Sequence, residues 1–568
     1  MAGCAPGDKT MTTHYGNFGQ GDYPVAARIW GHRLRTGQSW IEYLLEFLGV
    51  LAGFKYRFGQ GLPDREEGDD YQIEYTIPQR LGLRRFVFYD EREKTRDSRD
   101  TRATAELRKR LRQLVVEPDG YEDTELLDQA RALLRSFSAV EEDRSWYAKS
   151  LFPVHEEFLL WEASRKGSTL KEYRLSADNL PLAQLDQGIE FRVRNFFARG
   201  GEMYYLFISA GTETSPEVRS RISNRLQKLL TANNQALGHL ARAIDAAWGD
   251  LIATSNGHIH GTLGWIPDPG CPLYQQFAND LDTFLDNDLD SLECLELLAH
   301  LICFHIIIYI YHRAHPASHS EGHSSGSCLE ACRPDLLIDL LGEQDGGILR
   351  ECSASLLREQ DDRQLSQARE LVMEWLRVRA AELRTGGDDL LEYLQNEVQQ
   401  EFGVARTRTK HKLDNAVREI SVSYGAGEQS YEKLIQEYGK VLFEALSSDF
   451  RRNFLAVHRK LGRAIGLVAP RKGSQIRFVL GNTLLKTLVM ATLPRGGAPI
   501  RLGEFLKLLY HRYGIVIGPG EAHAAGLVER LRINEEYYSR NRDALRARMQ
   551  RAGLLIQYSD ATALVYRR

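Results

Sequence analysis

Two stretches of this chain gather side chains that could do chemistry: a histidine- and cysteine-rich segment in the middle and an arginine-rich segment near the end. The first, HRAHPASHSEGHSSGSCLEAC (312–332), holds His312, His315, His319, His323, Cys328 and Cys332, with Cys303 and His305 upstream and Cys352 downstream. Imidazole and thiolate are the natural ligands of Zn²⁺, and four in tetrahedral array make a structural site. The C-x3-C of Cys328 and Cys332 would supply one half and His319 with His323 the other, so zinc is the cofactor these residues could hold. No second cysteine pair of that kind follows, and the Ser/Gly/His-rich middle reads equally well as a solvated loop.

The second stretch is RNRDALRARMQR (540–551). At helical spacing Arg542, Arg546 and Gln550 fall on one stripe, while Leu545, Met549 and Ala552 fall on another that would seat the helix on its own core. Arg548 and Arg551 flank the polar stripe, and Asp543 is its only acid. Guanidinium groups read guanine edges and grip phosphate, and a glutamine amide pairs with adenine. The chemistry this pattern fits is contact with a nucleic acid, the rival being a soluble helix in a protein-docking module.

A third, weaker signal is the H-x-H of His258 and His260, which would share one face of a strand and occurs in some metal hydrolases. The nearby acidic run DLDTFLDNDLD (280–290) reads as an acidic helix face. No phosphate-loop, dinucleotide, zinc-protease or nucleophile-elbow motif is present; RKGSQ (471–475) lacks the phosphate-loop glycine frame. A metal-dependent nuclease without a linear signature therefore stands as an alternative.

The elements that must position these residues are mostly helical. Apolar periodicity predicts helices over 41–54, 121–137, 219–248, 363–384, 388–402, 432–446 and 449–467, and over the later part of 91–114. Strands are expected at YQIEYTIP (71–78) and LRRFVFYD (83–90), and a hairpin around Gly200-Gly201 in FRVRNFFARGGEMYYLFIS (191–209). The fold class is mainly α with small β elements. Composition and breaks suggest a mixed N-terminal domain (14–120), a helical domain with a hairpin (121–270), a helical domain with the Cys/His loop (271–403), a basic helical connector (404–478) and a C-terminal domain (479–568). The basic segments RTRTKHK (406–412) and PRKGSQIR (470–477), the second with Arg471 and Lys472, read as linkers.

The tail orders a helix LLKTLVMATL (484–493), a helix RLGEFLKLLYHRYG (501–514), the arginine-rich helix, and strands LLIQYS (554–559) and TALVYRR (562–568). Over about residues 480–568 this resembles the winged helix-turn-helix family, with GIVIGPGEAHAAGLVERLRINEEYYS (514–539) as an insertion. The resemblance implies that the third helix, through Arg542, Arg546, Arg548, Gln550 and Arg551, would enter a DNA groove, with Arg567 and Arg568 at the wing. More loosely, a helical body fused to such a tail without enzymatic motifs looks like accessory components of multi-gene bacterial anti-phage defence systems, implying further protein subunits. A winged-helix transcription regulator is the third possibility.

Charge points the same way. The net charge of −4 conceals about 44 basic against 63 acidic residues in 1–403, and about 29 against 14 in 404–568. A surplus of roughly 15 positive charges beside a recognition helix suits phosphate, and the acidic remainder suits proteins. Seven sparse cysteines and the absence of an apolar leader fit a reducing cytoplasm. LICFHIIIYIY (301–311) is too short to span a bilayer and is expected as a buried core helix, so no membrane partner is expected.

Overall fold

The computed structural model describes residues 30, 34, 37–59, 74–78, 80–90, 98–114, 123–140, 144–160, 163–165, 191–193, 200–249, 258–262, 266, 270–315, 329–330, 332–342, 347–386, 393–394, 414–415, 417–420, 422–423, 431–449, 451, 455–470, 476–558 and 562–567. The chain is mostly helical with small sheets only, the class its periodicity predicts. Its helices are α1 Trp40–Gly53, α2 Leu81–Phe88, α3 Ser98–Leu114, α4 Asp123–Arg135, α5 Gly200–Gly211, α6 Pro216–Thr231, α7 Gln235–Trp248, α8 Pro272–Leu285, α9 Ser291–Arg313, α10 Ile348–Gly386, α11 Tyr431–Asp449, α12 Leu455–Ile465, α13 Asn482–Thr492, α14 Leu502–Tyr513, α15 Pro519–Ala524, α16 Leu527–Leu531 and α17 Glu535–Arg551. Its strands are β1 Glu74–Pro78, β2 Ser138–Val140, β3 Ser150–Leu151, β4 Ala163–Arg165, β5 Phe191–Val193, β6 His258–Thr262, β7 Leu336–Leu337, β8 Val468–Ala469, β9 Arg477–Phe478, β10 Ile500–Arg501, β11 Ile515–Val516, β12 Leu555–Gln557 and β13 Ala563–Val565.

α9 is the axle. Asp290 caps its N-terminus by accepting from the Glu293 amide, and from Cys294 onward nearly every side chain is buried. A helix apolar on all sides must be covered on all sides. α1, α12 and α13 pack directly against it, and α5 and α8 complete the layer. Among the described residues this is the one helix long and apolar enough to cross a bilayer, but its apolar window is enclosed by protein. The expected core helix at 301–311 is thus its C-terminal half.

Two elements differ from their sequence expectation. LRRFVFYD is the helix α2, not a strand, because aromatic and β-branched composition fits any fully buried segment. Its Arg84 and Arg85 are buried with it; Arg85 bonds Asp100 at 3.0 Å and its guanidinium lies 4.6 and 4.5 Å from the Trp146 and Trp248 ring centroids. Gly200-Gly201 does not turn a hairpin but starts α5, while β5 (Phe191–Val193) pairs with β4 (Ala163–Arg165). A Cβ at Gly201 would lie 2.3 Å from the Tyr43 carbonyl oxygen and 2.5 Å from the Phe47 amide, so these glycines let α5 close on α1. The long helix expected at 219–248 is two, α6 and α7, divided at Asn234, which adopts the left-handed region at φ 54°. Of 388–402 only Tyr393 and Leu394 are described, both buried.

Packing divides the chain unlike composition does. One continuous core runs from Trp30 to Val565, and a second gathers α2, α3, α4, the 146–160 segment and α7.

The C-terminal elements follow the order helix α13, strand β10 (Ile500–Arg501), helix α14, strand β11 (Ile515–Val516), α15 and α16, helix α17, and a hairpin of β12 (Leu555–Gln557) and β13 (Ala563–Val565). The hairpin and β10 form a three-stranded antiparallel sheet in the order β10-β13-β12. The short β10 lacks a sequence signal of its own. The insertion is not a loose loop: β11 pairs in parallel with β7 (Leu336–Leu337), binding the tail into the body. Asn541 of α17 seals this junction, donating to the carbonyls of Ile338 (2.8 Å) and Ile517 (3.0 Å) and accepting from the Leu340 amide (2.9 Å).

Candidate nucleic-acid interface

Within α17 the buried face is Tyr538, Asn541, Leu545 and Met549. Leu545 and Met549 therefore point inward as their spacing predicts, whereas Ala552 is exposed. The opposite face carries Arg540, Asp543, Ala547, Gln550 and Arg551. Arg542 and Arg546 sit on the flank between the two faces, their side chains 35% and 27% exposed, and both straddle Asp543 at 3.6 and 3.5 Å. The Nε of each is buried and has no hydrogen-bond acceptor.

The flank continues onto α14 and α15. Glu521 accepts from the Gly518 amide (2.9 Å) at the start of α15, and burial raises its pKa against the pull of that amide, Arg542 and Lys507. Lys507 is exposed and belongs to the same positive edge, although its place in the apolar helix LGEFLKLLYHRY gave no sign of it. Gln550 donates to Gln557, so the hairpin lies beside α17. Arg551 donates to its own helix at the Ala547 carbonyl (3.3 Å) and is exposed.

Two arginines of the expected set face the protein instead. Arg548 donates to the Leu480 carbonyl, and burial lowers its pKa. Arg567 inserts its guanidinium between the C-termini of two helices, donating to the carbonyls of Thr283 (2.8 Å), Phe284 (3.3 Å) and Asp286 beside α8, and of Met490 (3.0 Å) and Leu493 (2.9 Å) beside α13. Orphan carbonyls and the negative end of each helix dipole account for this placement. Arg471, Lys472 and Arg568 lie outside the described residues.

Of the expected zinc ligands only Cys332 is described, and it is buried; Cys328, His319 and His323 lie outside the described residues. Among the described residues no group of three or more His, Cys, Asp or Glu side chains could hold a metal ion. His258 and His260 occupy alternate positions of β6 (His258–Thr262), opposite Pro78 and Thr76 of β1 (Glu74–Pro78).

The acidic run is not a uniform exposed face. Asp280 is wholly buried, binding Arg512 and Tyr513 (2.7 Å) with His305 at 3.4 Å. His305 in turn meets the Tyr204 hydroxyl at 3.1 Å and stacks on Phe277. Asp282 is shared by Arg221 and Arg225, Asp286 pairs with Arg225, and Asp288 with Arg495. A second chain of the same composition links Tyr311, His458, Asp361 and Arg459, with both histidine contacts at 2.8 Å. Burial lowers the pKa of both histidines more than their carboxylates raise it, which keeps them neutral at pH 7. Their chemistry is to tie α5, α8, α9, α10, α12 and α14 together.

No protein-family model, no curated protein and no solved structure matches this chain.

Proposed function

We propose that the chain is a nucleic-acid-binding and scaffolding subunit of a larger, cytoplasmic bacterial assembly, its C-terminal module acting as a winged helix and its acidic body docking partner proteins. A place in an anti-phage defence system belongs to the same proposal. The observation that carries the reading is the positive flank of α17, where Arg542 and Arg546 stand partly exposed, Glu521 lies near both Arg542 and Lys507, and Gln550 meets the surface hairpin. The surplus of roughly 15 positive charges after residue 403 supports it. The acidic run offers a nuclease little: Asp280, Asp282, Asp286 and Asp288 are occupied by arginines.

The test is a titration of the full chain against duplex DNA over a range of salt, beside a thermal melt. Arg542→Glu/Arg546→Glu is expected to weaken binding by about tenfold or more and to flatten the log–log salt dependence by about 2. Folding should survive, because substitutions on a half-exposed flank cost about 0.5 kcal/mol each. Leu545→Asp is the control, burying a charge in the module's core and unfolding it. Parental affinity in the double variant would remove α17 from the interface and make the module a protein-docking element.

A further inference from the structure

The hairpin beside α17 presents an apolar face that the protein leaves uncovered. Tyr558, the residue after β12, is 69% exposed and Ile556 is 42% exposed. The two are separated by one residue, so they stand on the same side of the strand. Register extends this side across the sheet, because Ile556 is opposite Leu564 and Leu564 is opposite Arg501. The Tyr558 amide donates to the Thr562 carbonyl at 2.9 Å, which fixes the ring's backbone at the hairpin's outer end. The row therefore ends in a planar aromatic ring on one edge and an exposed guanidinium on the other.

Single exposed apolar residues need no explanation, but a contiguous row does. Positive charge at the edge of this row, in the basic part of the chain, favours a polyanion. A polyanion that also covers an aromatic ring is one with accessible base faces, which a continuous duplex lacks because its bases are stacked on one another. Base–aromatic stacking with arginines on the flanking phosphates is the general means of holding unpaired strands.

We infer that the outer face of the terminal sheet binds single-stranded nucleic acid, with Tyr558 stacking on an unpaired base and Arg501 holding a phosphate. The inference rests on the nucleic-acid reading of the C-terminal module and narrows it: the preferred ligand is a duplex that opens into a single strand, with α17 along the duplex and the hairpin at the opening.

The experiment measures binding of the full chain to a blunt duplex of about 20 base pairs, the same duplex with an overhang of about 10 nucleotides, and a single strand of equal length. The overhang duplex should bind more tightly than the blunt one. Tyr558→Ala should lose about tenfold on the overhang and single-stranded probes and stay within twofold of the parent on the blunt duplex. Tyr558→Phe, which keeps the ring, should restore the loss. Blunt and overhang probes bound alike, with Tyr558→Ala equal to the parent, would overturn the inference and leave the duplex reading standing. Equal loss on all three probes would also overturn it. Failure of the parent to bind any probe would overturn both and turn the exposed row into a protein-docking surface.

Discussion

Arg567 shows how one side chain's type can be read correctly and its role misplaced. Its position at the chain end, beside Arg568, suggests a wing contact with a nucleic-acid backbone, but the geometry gives its donors to five carbonyls at two helix ends. Burial lowers its pKa, with Asp286 opposing that shift, so it is held as a cation by surrounding carbonyl oxygens. Five directed acceptors match a planar fork and not a compact ammonium. Arg567→Lys is therefore expected to lower stability by about 1–3 kcal/mol, read from urea unfolding, because several carbonyls lose a charged donor. Salt-dependent DNA binding at a temperature where the variant is folded should stay that of the parent. A variant as stable as the parent but weaker on DNA would return Arg567 to the interface.

Elements were legible where one property decided them and illegible where two structures share a signature. The helices α1, α4, α11, α13 and α14 follow from apolar periodicity, and Ser39 with Glu42 marks the start of α1, the carboxylate accepting from the Ser39 amide at 2.5 Å. The pair Gly200-Gly201 carries no such decision. Glycine serves a turn and a close helix approach equally, and only the partner helix distinguishes them. Gly201→Ala tests the packing role, since its methyl would meet backbone atoms of α1 that cannot rotate away. A loss of about 3 kcal/mol in unfolding free energy is expected. Gly503→Ala on α14 is the comparison, as its Cβ meets nothing within 4 Å and the substitution should be neutral or slightly stabilising. Equal behaviour of the two variants would remove the close-approach role from Gly201. The arginine helix shows the same limit at finer grain. Leu545 and Met549 fix its rotation, yet the stripe chosen from the sequence is turned toward the flank, because Tyr538 and Asn541 widen the buried face.

At the scale of the whole molecule, the charge balance changes sign near residue 404, and the packing joins what charge separates. α13 lies against both α8 and α9, β11 completes a pair with β7, and Gly514, at φ 74°, brings its backbone against Pro334 so closely that a Cβ would sit 1.7 Å from that carbonyl oxygen. Arg333 lies 4.2 Å over the Tyr510 ring and Asn541 spans the junction with three hydrogen bonds. None of this is periodic along the sequence, because each contact joins residues far apart in the chain. A fragment of residues 479–568 would expose the faces of α13 and α14 that now meet the body, and would leave the amide of Asn541 without the Ile338 carbonyl. It is expected to lack cooperative unfolding and to be cleaved throughout by limited proteolysis, while the full chain protects the same segment. A fragment extended back to residue 270 restores α8, α9 and the 332–342 segment but leaves α9 without α1 and α5, so only the full chain should show a cooperative transition. If residues 479–568 melt alone at the temperature of the full chain, the junction contributes nothing to the module's stability. If only the full chain folds, nucleic acid bound at α17 reports directly on the helical core, since Asn541 and Arg542 are neighbours on one rigid element, one inside the body and the other at the proposed interface.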